Sequence, residues 1–493
     1  MIRLGLALTL ITSGALAEPM FEDRSYALPE HIYAGGWEHF VGGGVAVFDC
    51  NGDDLPDIFA AGGANPAKLI RNDGDFAFTD MALPVLEGVT GAYPIDMDGD
   101  GLMDLFVLRV GPNLVLQGGP DCTFTNATAA FGIPQTDQWT TAFSAWWDVG
   151  AERPTLAIGN YVDRSNPDGP FEACDTNAIL RPTPNGYVAD ILTPGFCPLS
   201  ILAARDARGK PTLRISNDRH YYVSGGNEQM WDIAERRFLG LDDGWKNVSL
   251  WGMGIASRDL DGDARDEVML TSMGDQLLQL AQEDGTYAAA PYAIGTYAQR
   301  PHIGDDGRPS TGWHAEFGDL DNDGLADLFI AKGNVDQMPG MATRDPNNLL
   351  MQKVNGTFVE MGATAGVATV ERSRGATLAD FDGDGRLDLV VTNRRAPLEI
   401  YRNVTPDTGH WLRVNLAQSA GNRHAIGAVV QLETGVSRQS LQKTIGGGHA
   451  GGQALPLHFG LGAAKAATLI ITWPDGAETF HHTDVDKTVT ITR

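Results

Sequence analysis

Acidic side chains recur at alternate positions in one short stretch that could bind a hard cation. The stretch contains Asp380, Asp382, Asp384 and Asp388, with Gly385 at its sixth position. Carboxylates this close repel one another unless a cation lies among them, and Ca²⁺ takes about six to eight oxygen ligands. Positions 1, 3, 5 and 9 would supply side-chain oxygens and position 7 a backbone carbonyl. The pattern therefore predicts a calcium-binding loop.

The residues after this loop distinguish it from an EF-hand. An EF-hand loop lies between helices and ends with a bidentate glutamate at position 12. Here position 12 is Val391, within an apolar run that begins at Leu389. β-Branched residues in such a run favour a strand. We therefore expect the loop to join two β-strands.

The acidic pattern occurs at five places. Three copies are complete, and two depart at the turn position, where Ala264 and Asp54 replace glycine. Alanine accepts a left-handed turn less readily than aspartate does, so we expect the copy with Ala264 to be the most strained. The predicted calcium ligands are Asp49, Asn51, Asp53, Asp57, Asp96, Asp98, Asp100, Asp104, Asp259, Asp261, Asp263, Glu267, Asp319, Asp321, Asp323, Asp327, Asp380, Asp382, Asp384 and Asp388.

The spacing of the loops indicates a repeat. Each loop lies between two apolar runs, and a second hairpin-like segment follows, so each repeat holds about four strands. The gap between the second and third loops has room for two more units. Residues 146–158 and 201–215 keep the strand–turn–strand pattern with too few carboxylates around Asp148 and Asp206. We expect neither of these units to bind metal.

Seven four-stranded units predict an all-β fold, a seven-bladed β-propeller over residues 18–403 with calcium-binding loops. A β-solenoid is the alternative, although its repeats are usually shorter. Residues 404–493 contain no acidic loop but show alternating apolar runs, separated by glycines at 446–448 and a turn at 474–476. This segment predicts a small C-terminal β domain.

Charge and composition exclude some functions. The chain has 493 residues and a formal net charge of -27. Nucleic acids and anionic membranes reward clustered lysine and arginine, so neither is an expected partner. The five loops hold 21 of the 63 acidic residues, so part of this acidity belongs to the predicted cation sites.

The start of the chain and its cysteines predict export. Residues 1–17 show a basic start, a short apolar run and an Ala-x-Ala site, which predicts a cleaved signal peptide and a periplasmic or secreted protein. No other apolar run is long enough for a membrane span. Cys174 and Cys197 bracket one loop-like stretch, so we expect them to pair. Four free thiols are the alternative, and the pairing of Cys50 with Cys122 is left open.

The repeats resemble a known family of motifs. The acidic loops, with Phe317-Gly318-Asp319 before one of them, are similar to FG-GAP (integrin α type) and VCBS propeller repeats. The tail, with motifs at residues 422–428, 458–462 and 471–476, resembles the ASPIC/UnbV domain. On this combination the chain is identified as a bacterial member of the cartilage acidic protein family. The resemblance implies adhesion, carbohydrate binding or, in some members, enzyme chemistry.

The sequence favours a binding module over an enzyme. Serine-hydrolase, zinc-protease, Walker and dinucleotide-binding motifs are absent. We therefore expect a non-enzymatic binding or adhesion module for a carbohydrate or an extracellular or periplasmic protein. A polysaccharide-degrading or quinone-cofactor enzyme is the alternative. Because function concentrates in insertions on rigid scaffolds, Arg219, Tyr221 and Tyr222 are the predicted partner-binding residues, although such aromatics also cover hydrophobic layers.

Overall fold

The computed structural model describes residues 17–166, 173–218, 226–274, 276–297, 310–334, 344–419, 421–435 and 437–493. Strands dominate these residues. Those before residue 404 are β1 (Phe21–Asp23), β2 (Val45–Phe48), β3 (Asp57–Ala60), β4 (Lys68–Asn72), β5 (Phe78–Met81), β6 (Val89–Ile95), β7 (Asp104–Arg109), β8 (Leu114–Gly119), β9 (Thr123–Asn126), β10 (Thr140–Trp146), β11 (Thr155–Asn160), β12 (Asn177–Thr183), β13 (Gly186–Leu192), β14 (Pro198–Arg205), β15 (Pro211–Asn217), β16 (Gln229–Asp232), β17 (Arg237–Phe238), β18 (Gly252–Arg258), β19 (Glu267–Ser272), β20 (Leu277–Ala281), β21 (Tyr287–Ala289), β22 (Gly312–Gly318), β23 (Asp327–Lys332), β24 (Asn348–Gln352), β25 (Phe358–Glu360), β26 (Ser373–Ala379), β27 (Asp388–Asn393) and β28 (Glu399–Asn403).

The remaining elements are the strands of the C-terminal segment and a few short helices. The strands are β29 (His410–Ala417), β30 (Val429–Glu433), β31 (Arg438–Gln442), β32 (Gln453–Ala454), β33 (Leu457–Gly462), β34 (Ala466–Thr472), β35 (Glu478–Asp484) and β36 (Lys487–Thr492). The α-helices are α1 (Thr128–Phe131) and α2 (Gly362–Ala365). Single 3₁₀ turns occur at Ser25–Ala27, Trp37–His39, Pro120–Cys122, Leu241–Asp243 and Tyr292–Ile294.

Seven antiparallel sheets come from the described residues before 404. Five contain four strands in chain order, β6 to β9, β10 to β13, β14 to β17, β18 to β21 and β22 to β25. A sixth contains β2 to β5 in chain order, and β32 of the C-terminal segment adds a fifth, parallel strand beside β2. In the last, β26, β27 and β28 are completed by β1, which pairs Phe21 with Asn403. The predicted repeat of about four strands is therefore confirmed, and both units without a metal loop form sheets of the same kind.

The first strands of the sheets follow one another in a closed order. β2 contacts β6, and contacts continue through β10, β14, β18 and β22 to β26, which contacts β2 again. This arrangement, which leaves only short edges, is that of a β-propeller. The predicted propeller class is confirmed; the count of seven blades and the domain boundaries stay predictions.

Alternation along each inner strand places its side chains in two different cores. In β2, Val45 and Val47 pack with Val390 of the last sheet. Phe48 points the other way and packs with Leu105 of the second sheet. A strand buried on both faces must be apolar throughout, because successive side chains point to opposite sides. This explains why the inner strands read as continuous apolar runs.

The C-terminal segment forms the predicted small β domain. Its strands form two sheets, in the orders β33-β29-β36 and β31-β30-β34-β35. Leu412, Val430, Leu469 and Trp473 lie in one buried cluster between them. The predicted all-β character of residues after 403 is therefore confirmed.

A glycine-rich segment of this domain, residues 445–454, enters the propeller. We call it the glycine strap. It bridges to inner strands of five sheets through the pairs Ile445 with Ala145, Gly446 with Leu202, Gly448 with Ile255, Gly451 with Ala92 and Gln453 with Val47. The sequence pattern treated these glycines as a break between strands of the small domain, and that interpretation misses their contact with the propeller.

Both cysteine pairs are disulfide-bonded. Cys174 is bonded to Cys197, as predicted, and Cys50 is bonded to Cys122, a pairing the sequence left open. The bond between Cys50 and Cys122 connects the first acidic loop with the segment after β8. Among the described residues, no helix has the length and apolarity needed to cross a membrane.

Candidate metal centre

The five acidic loops all connect the first and second strands of a sheet. Their sixth residues have positive φ angles, 97° at Gly101, 96° at Gly324, 87° at Gly385, and 66° at both Asp54 and Ala264. Glycine adopts this left-handed conformation freely, whereas alanine adopts it only at a cost. The predicted turn is thus present in every copy, including the two without glycine.

The first carboxylate of each loop holds this turn. Asp96 Oδ2 accepts a hydrogen bond from the N–H of Gly101 at 3.0 Å, and Asp319 Oδ2 accepts one from Gly324 at 2.8 Å. The same bond, 2.9 Å long, reaches Asp259 from Ala264. The first position therefore shapes the loop as well as offering an oxygen to its interior.

The ninth carboxylate ties the loop to the sheet. Asp327 accepts from the N–H of Leu320 and from the N–H of Gln352 on the third strand, each at 2.9 Å. Asp388 does the same with Phe381 and Asn403, at 2.8 and 2.7 Å. Equivalent pairs of bonds occur at Asp57, Asp104 and Glu267. This position has a structural role that the ligand pattern alone did not indicate.

Four loops bring three carboxylates together. Their ligand oxygens lie within 4.8 Å of one another in the groups Asp96, Asp98 and Asp104; Asp259, Asp261 and Asp263; Asp319, Asp321 and Asp327; and Asp380, Asp382 and Asp388. In three of these groups the members are positions 1, 3 and 9. Such all-oxygen sets suit a hard divalent cation.

The loop that begins at Asp49 is arranged differently. Asn51 donates its side-chain amide to Asp53 Oδ2 at 2.8 Å, and Asp49 Oδ1 accepts the N–H of Gly52 at 2.7 Å. Asp57 lies near the sulfur atoms of Cys50 and Cys122, which are consumed by their disulfide. Of the five predicted sites, this one has the fewest converging carboxylates.

Burial raises the pKa of the loop carboxylates. The pKa of Asp96 and of Asp380 rises to about 6, and that of Asp104 and of Asp321 to about 7, first because burial disfavours the charged form and then because neighbouring carboxylates repel it. The pKa of Asp319 lies well above its usual range for the same reasons. A bound cation would favour the ionised form of each group.

The loops differ in the cations that the protein itself supplies. Around the loop that begins at Asp380, Arg413 pairs with Asp380 at 2.9 Å, Arg402 pairs with Asp382 at 2.6 Å, and Arg386 pairs with the fifth-position carboxylate. Among the described residues, no ion pair reaches Asp319 or the other carboxylates of its loop. Because its three converging carboxylates are also all buried, an added cation would offset a large cost there.

Polar side chains on third strands join neighbouring sheets at the loops. Asn72 donates to the carbonyl of Phe381 at 2.7 Å, and Asn403 donates to the carbonyl of Leu320 at 2.9 Å. Gln352 reaches Leu260 in the same way. Sequence reasoning missed these residues, although an amide recurs at the end of the third strand in several repeats.

Other predicted sites have different outcomes. Arg219, Tyr221 and Tyr222 lie outside the described residues, as do residues 1–16 of the predicted signal peptide. Asp148 accepts a bond from Thr155 at 3.0 Å. Asp206 accepts the N–H groups of its own turn.

The fold and these loops define a class, a β-propeller with acidic cation-type loops that is followed by a small β domain. Residues 49–107 and 335–391 match the FG-GAP-like repeat family, and residues 418–493 match the ASPIC and UnbV family. The chain thus contains both kinds of unit, as the sequence resemblance predicted.

Curated proteins are similar to part of this chain. Cartilage acidic protein 1 from Mus musculus and from Homo sapiens are each 30% identical over 162 residues, 32% of this chain and 25% and 24% of the relatives. The Xenopus tropicalis protein is 37% identical over 109 residues, 21% of this chain and 17% of that protein. The chain therefore matches at most about a quarter of each relative.

Solved structures with a similar course of the chain include BBS1N in complex with ARL6DN, soaked with lead, at a TM-score of 0.45 and 10% identity, covering 79% of this chain and 98% of that one. Another is an Agrocybe aegerita lectin that recognises non-reducing terminal N-acetylglucosamine, at a TM-score of 0.38 and 16% identity, covering 73% of this chain and 88% of that one.

Proposed function

We propose that this chain is a calcium-binding module of the periplasm or the extracellular space, in which calcium occupies the acidic loops. The observation that carries the proposal is the loop containing Asp319, Asp321 and Asp327. These carboxylates are 1%, 3% and 1% exposed and their oxygens lie within 4.8 Å of one another. Burying several carboxylates without a counter-charge costs several kcal/mol, which a divalent cation offsets.

Calcium fits this site better than the other common ions. The converging atoms are carboxylate oxygens, which are the ligands of hard cations such as calcium, whereas softer metals favour sulfur or nitrogen ligands. The loop that begins at Asp380 offers a second observation. Its Asp382 side chain is only 8% exposed and belongs to a converging group, and the Oδ1 atom has no hydrogen-bond partner among the described residues. An oxygen left unpaired in this position is available to a cation.

The test is removal and return of the metal. A cation at about 100 times its dissociation constant stabilises the folded state by about 2.7 kcal/mol per site. Excess chelator should therefore lower the unfolding temperature, and calcium should restore it where magnesium at equal concentration does so less. An unchanged unfolding curve, together with no calcium by elemental analysis of protein purified without chelator, would exclude this function.

We further propose that the chain acts as a non-enzymatic binding or adhesion module for a carbohydrate or a protein. Two disulfides support an oxidising compartment, where such partners are available. The loops that begin at Asp319 and Asp380 lie against the C-terminal domain, through Gly409 with Asp321 and Arg413 with Asp380, so we expect a partner to use other surface. The insertion that contains Arg219, Tyr221 and Tyr222 is the proposed place.

Replacement of these three residues by alanine tests the location. Binding to a glycan array or to captured protein should be lost, while calcium content and unfolding temperature stay near those of the wild type. Tyr26→Ala is the control, because this tyrosine is 76% exposed and is not part of the proposed partner site. A triple variant that binds normally, or that unfolds or loses calcium, would show that these residues do not form the partner site.

A further inference from the structure

The C-terminal domain forms hydrogen bonds with the backbone of the loop that begins at Asp319. Gly409 donates its N–H to the carbonyl of Asp321 at 2.9 Å, and Gly462 donates to the carbonyl of Asn322 at 2.7 Å. His458 Nε2 lies 2.8 Å from the side-chain oxygen of Asn322. These contacts require the loop in one conformation, because they are made with its main chain.

The C-terminal domain packs closely against the loop that begins at Asp319. A Cβ on Gly460 would lie 1.9 Å from Asp319 Oδ2, and a Cβ on Gly409 would lie 2.1 Å from the carbonyl oxygen of Asn322. The two glycines therefore allow β33 and the start of β29 to approach the loop at van der Waals distance.

This loop has no internal counter-charge to hold that conformation. Asp319, Asp321 and Asp327 are buried, and no ion pair reaches them from the described residues. Arg258 favours the charged form of Asp319 but forms no ion pair with it, and the pKa of Asp319 stays well above its usual range because the carboxyl is buried. Without a bound cation, repulsion among the carboxylates acts directly on the backbone that Gly409 and Gly462 contact.

The loop that begins at Asp380 makes the opposite kind of contact. Arg413 of the C-terminal domain donates Nη1 to Asp380 Oδ2 at 2.9 Å and Nε to Thr488 at 2.9 Å. This ion pair joins the two domains by the protein's own charge. Loss of a cation from that loop would strengthen the attraction between Arg413 and Asp380 rather than weaken it.

We propose that a cation in the Asp319 loop controls docking of the C-terminal domain on the propeller, whereas the pair Arg413–Asp380 is a latch that holds without a cation. The inference rests on the proposed binding of calcium and adds which loop the interdomain surface depends on. It also assigns the partner of this loop face, which is the chain's own C-terminal domain rather than an external ligand.

Hydrogen exchange of the full chain tests this inference. If the amides of Gly409 and Gly462 open only when the loop is free of cation, calcium at about 100 times its dissociation constant slows their exchange about 100-fold. The amides of Gly447 and Gly448, which donate to Ile201 and Ile255, report on the glycine strap and should change much less.

Asp321→Asn and Asp98→Asn are matched variants, since each removes the carboxylate at position 3 of a loop whose carboxylates converge. Each should lose calcium by elemental analysis, but only Asp321→Asn should lose the slowing at Gly409 and Gly462. Arg413→Gln should speed exchange of β29 both with and without calcium, and at least as much without it, because the ion pair is strongest when its loop holds no cation.

Three outcomes would overturn the inference. If calcium binds and exchange at Gly409 and Gly462 is unchanged, docking does not depend on the cation, and the calcium function stands. Equal slowing at Gly447 and Gly448 would mean that calcium acts on the whole fold. Wild-type protein that binds no calcium removes both the proposed function and this inference.

Discussion

The carbonyl oxygen of Ala450 lies 2.0 Å from where a Cβ on Gly44 would be. Gly44 precedes the first strand of the first sheet, and Ala450 belongs to the glycine strap. A similar relation holds at Gly91, where a Cβ would lie 1.5 Å from the same oxygen. The strap therefore occupies space that side chains would otherwise fill, and it packs directly against the inner strands of the propeller.

Gly44→Ala should destabilise the protein by about 3 kcal/mol, because a methyl group cannot be accommodated against a backbone carbonyl. Urea unfolding measures the loss. Gly240→Ala is the control, since a Cβ there meets nothing within 4 Å. If both variants unfold at the same urea concentration, the strap does not pack against Gly44 as described.

Asp382→Ala should remove one calcium ion and lower the unfolding temperature, because this carboxylate belongs to a converging group. Asp148→Ala, in the corresponding turn of a unit without a metal loop, should leave the calcium content unchanged. Elemental analysis of the two variants beside the wild type decides the question. Equal calcium content in all three would show that the Asp380 loop holds no calcium.

The two disulfides should contribute unequally. They close segments of 72 residues at Cys50–Cys122 and 23 residues at Cys174–Cys197. Loop-closure entropy values these at about 4 and about 3 kcal/mol. Double serine variants of each pair, compared by urea unfolding, should therefore show the larger loss for Cys50 and Cys122. The reverse order would mean that native-state packing rather than chain entropy sets the difference.

Glu228 should make stability depend on pH. Burial is the main cause that raises the pKa of this side chain from 4.5 to about 8 in the folded state. Between these values the folded protein retains a proton that the unfolded chain has lost, so the free energy of unfolding falls as pH rises through this interval.

Glu228→Gln should remove that dependence. At pH 8.5 we expect the variant to be more stable than the wild type, by on the order of 1–3 kcal/mol, and at pH 5 nearly equal to it. Unfolding in urea across this pH range is the measurement, with Glu283→Gln, at an exposed position, as the control. The role would be contradicted if the free energy of unfolding of the wild type rose from pH 5 to pH 8.5. It would also be contradicted if Glu228→Gln and Glu283→Gln showed the same change over this range.

Much of the propeller and of the candidate site could be predicted from the sequence, because the relevant interactions are local. In an acidic loop, the turn residue and all four predicted ligand positions fall within nine residues, as from Asp319 to Asp327. The carboxylate pattern therefore identified both the loop and the hairpin around it. Apolar runs such as those of β3 and β7 identified strands for the same reason, since a strand that is buried on both faces is apolar at successive positions.

Contacts between distant residues could not be predicted. Arg413 meets Asp380 across the domain interface, and β1 completes a sheet with β28 from the far end of the chain. Nothing in the nearby sequence of either partner marks the other. Which loop receives arginines and which is left without them was therefore decided by the tertiary structure.

The glycine strap shows the limit most clearly. Residues 446–448 carry no side chains, so they have no apolar pattern and look like any flexible connection. Their absence of side chains is what lets the backbone approach the inner strands and bond with them. The sequence by itself determined the repeated loops and hairpins, because those depend on neighbours in the chain; only the fold decided what fills the space between the sheets, because close packing depends on neighbours in space.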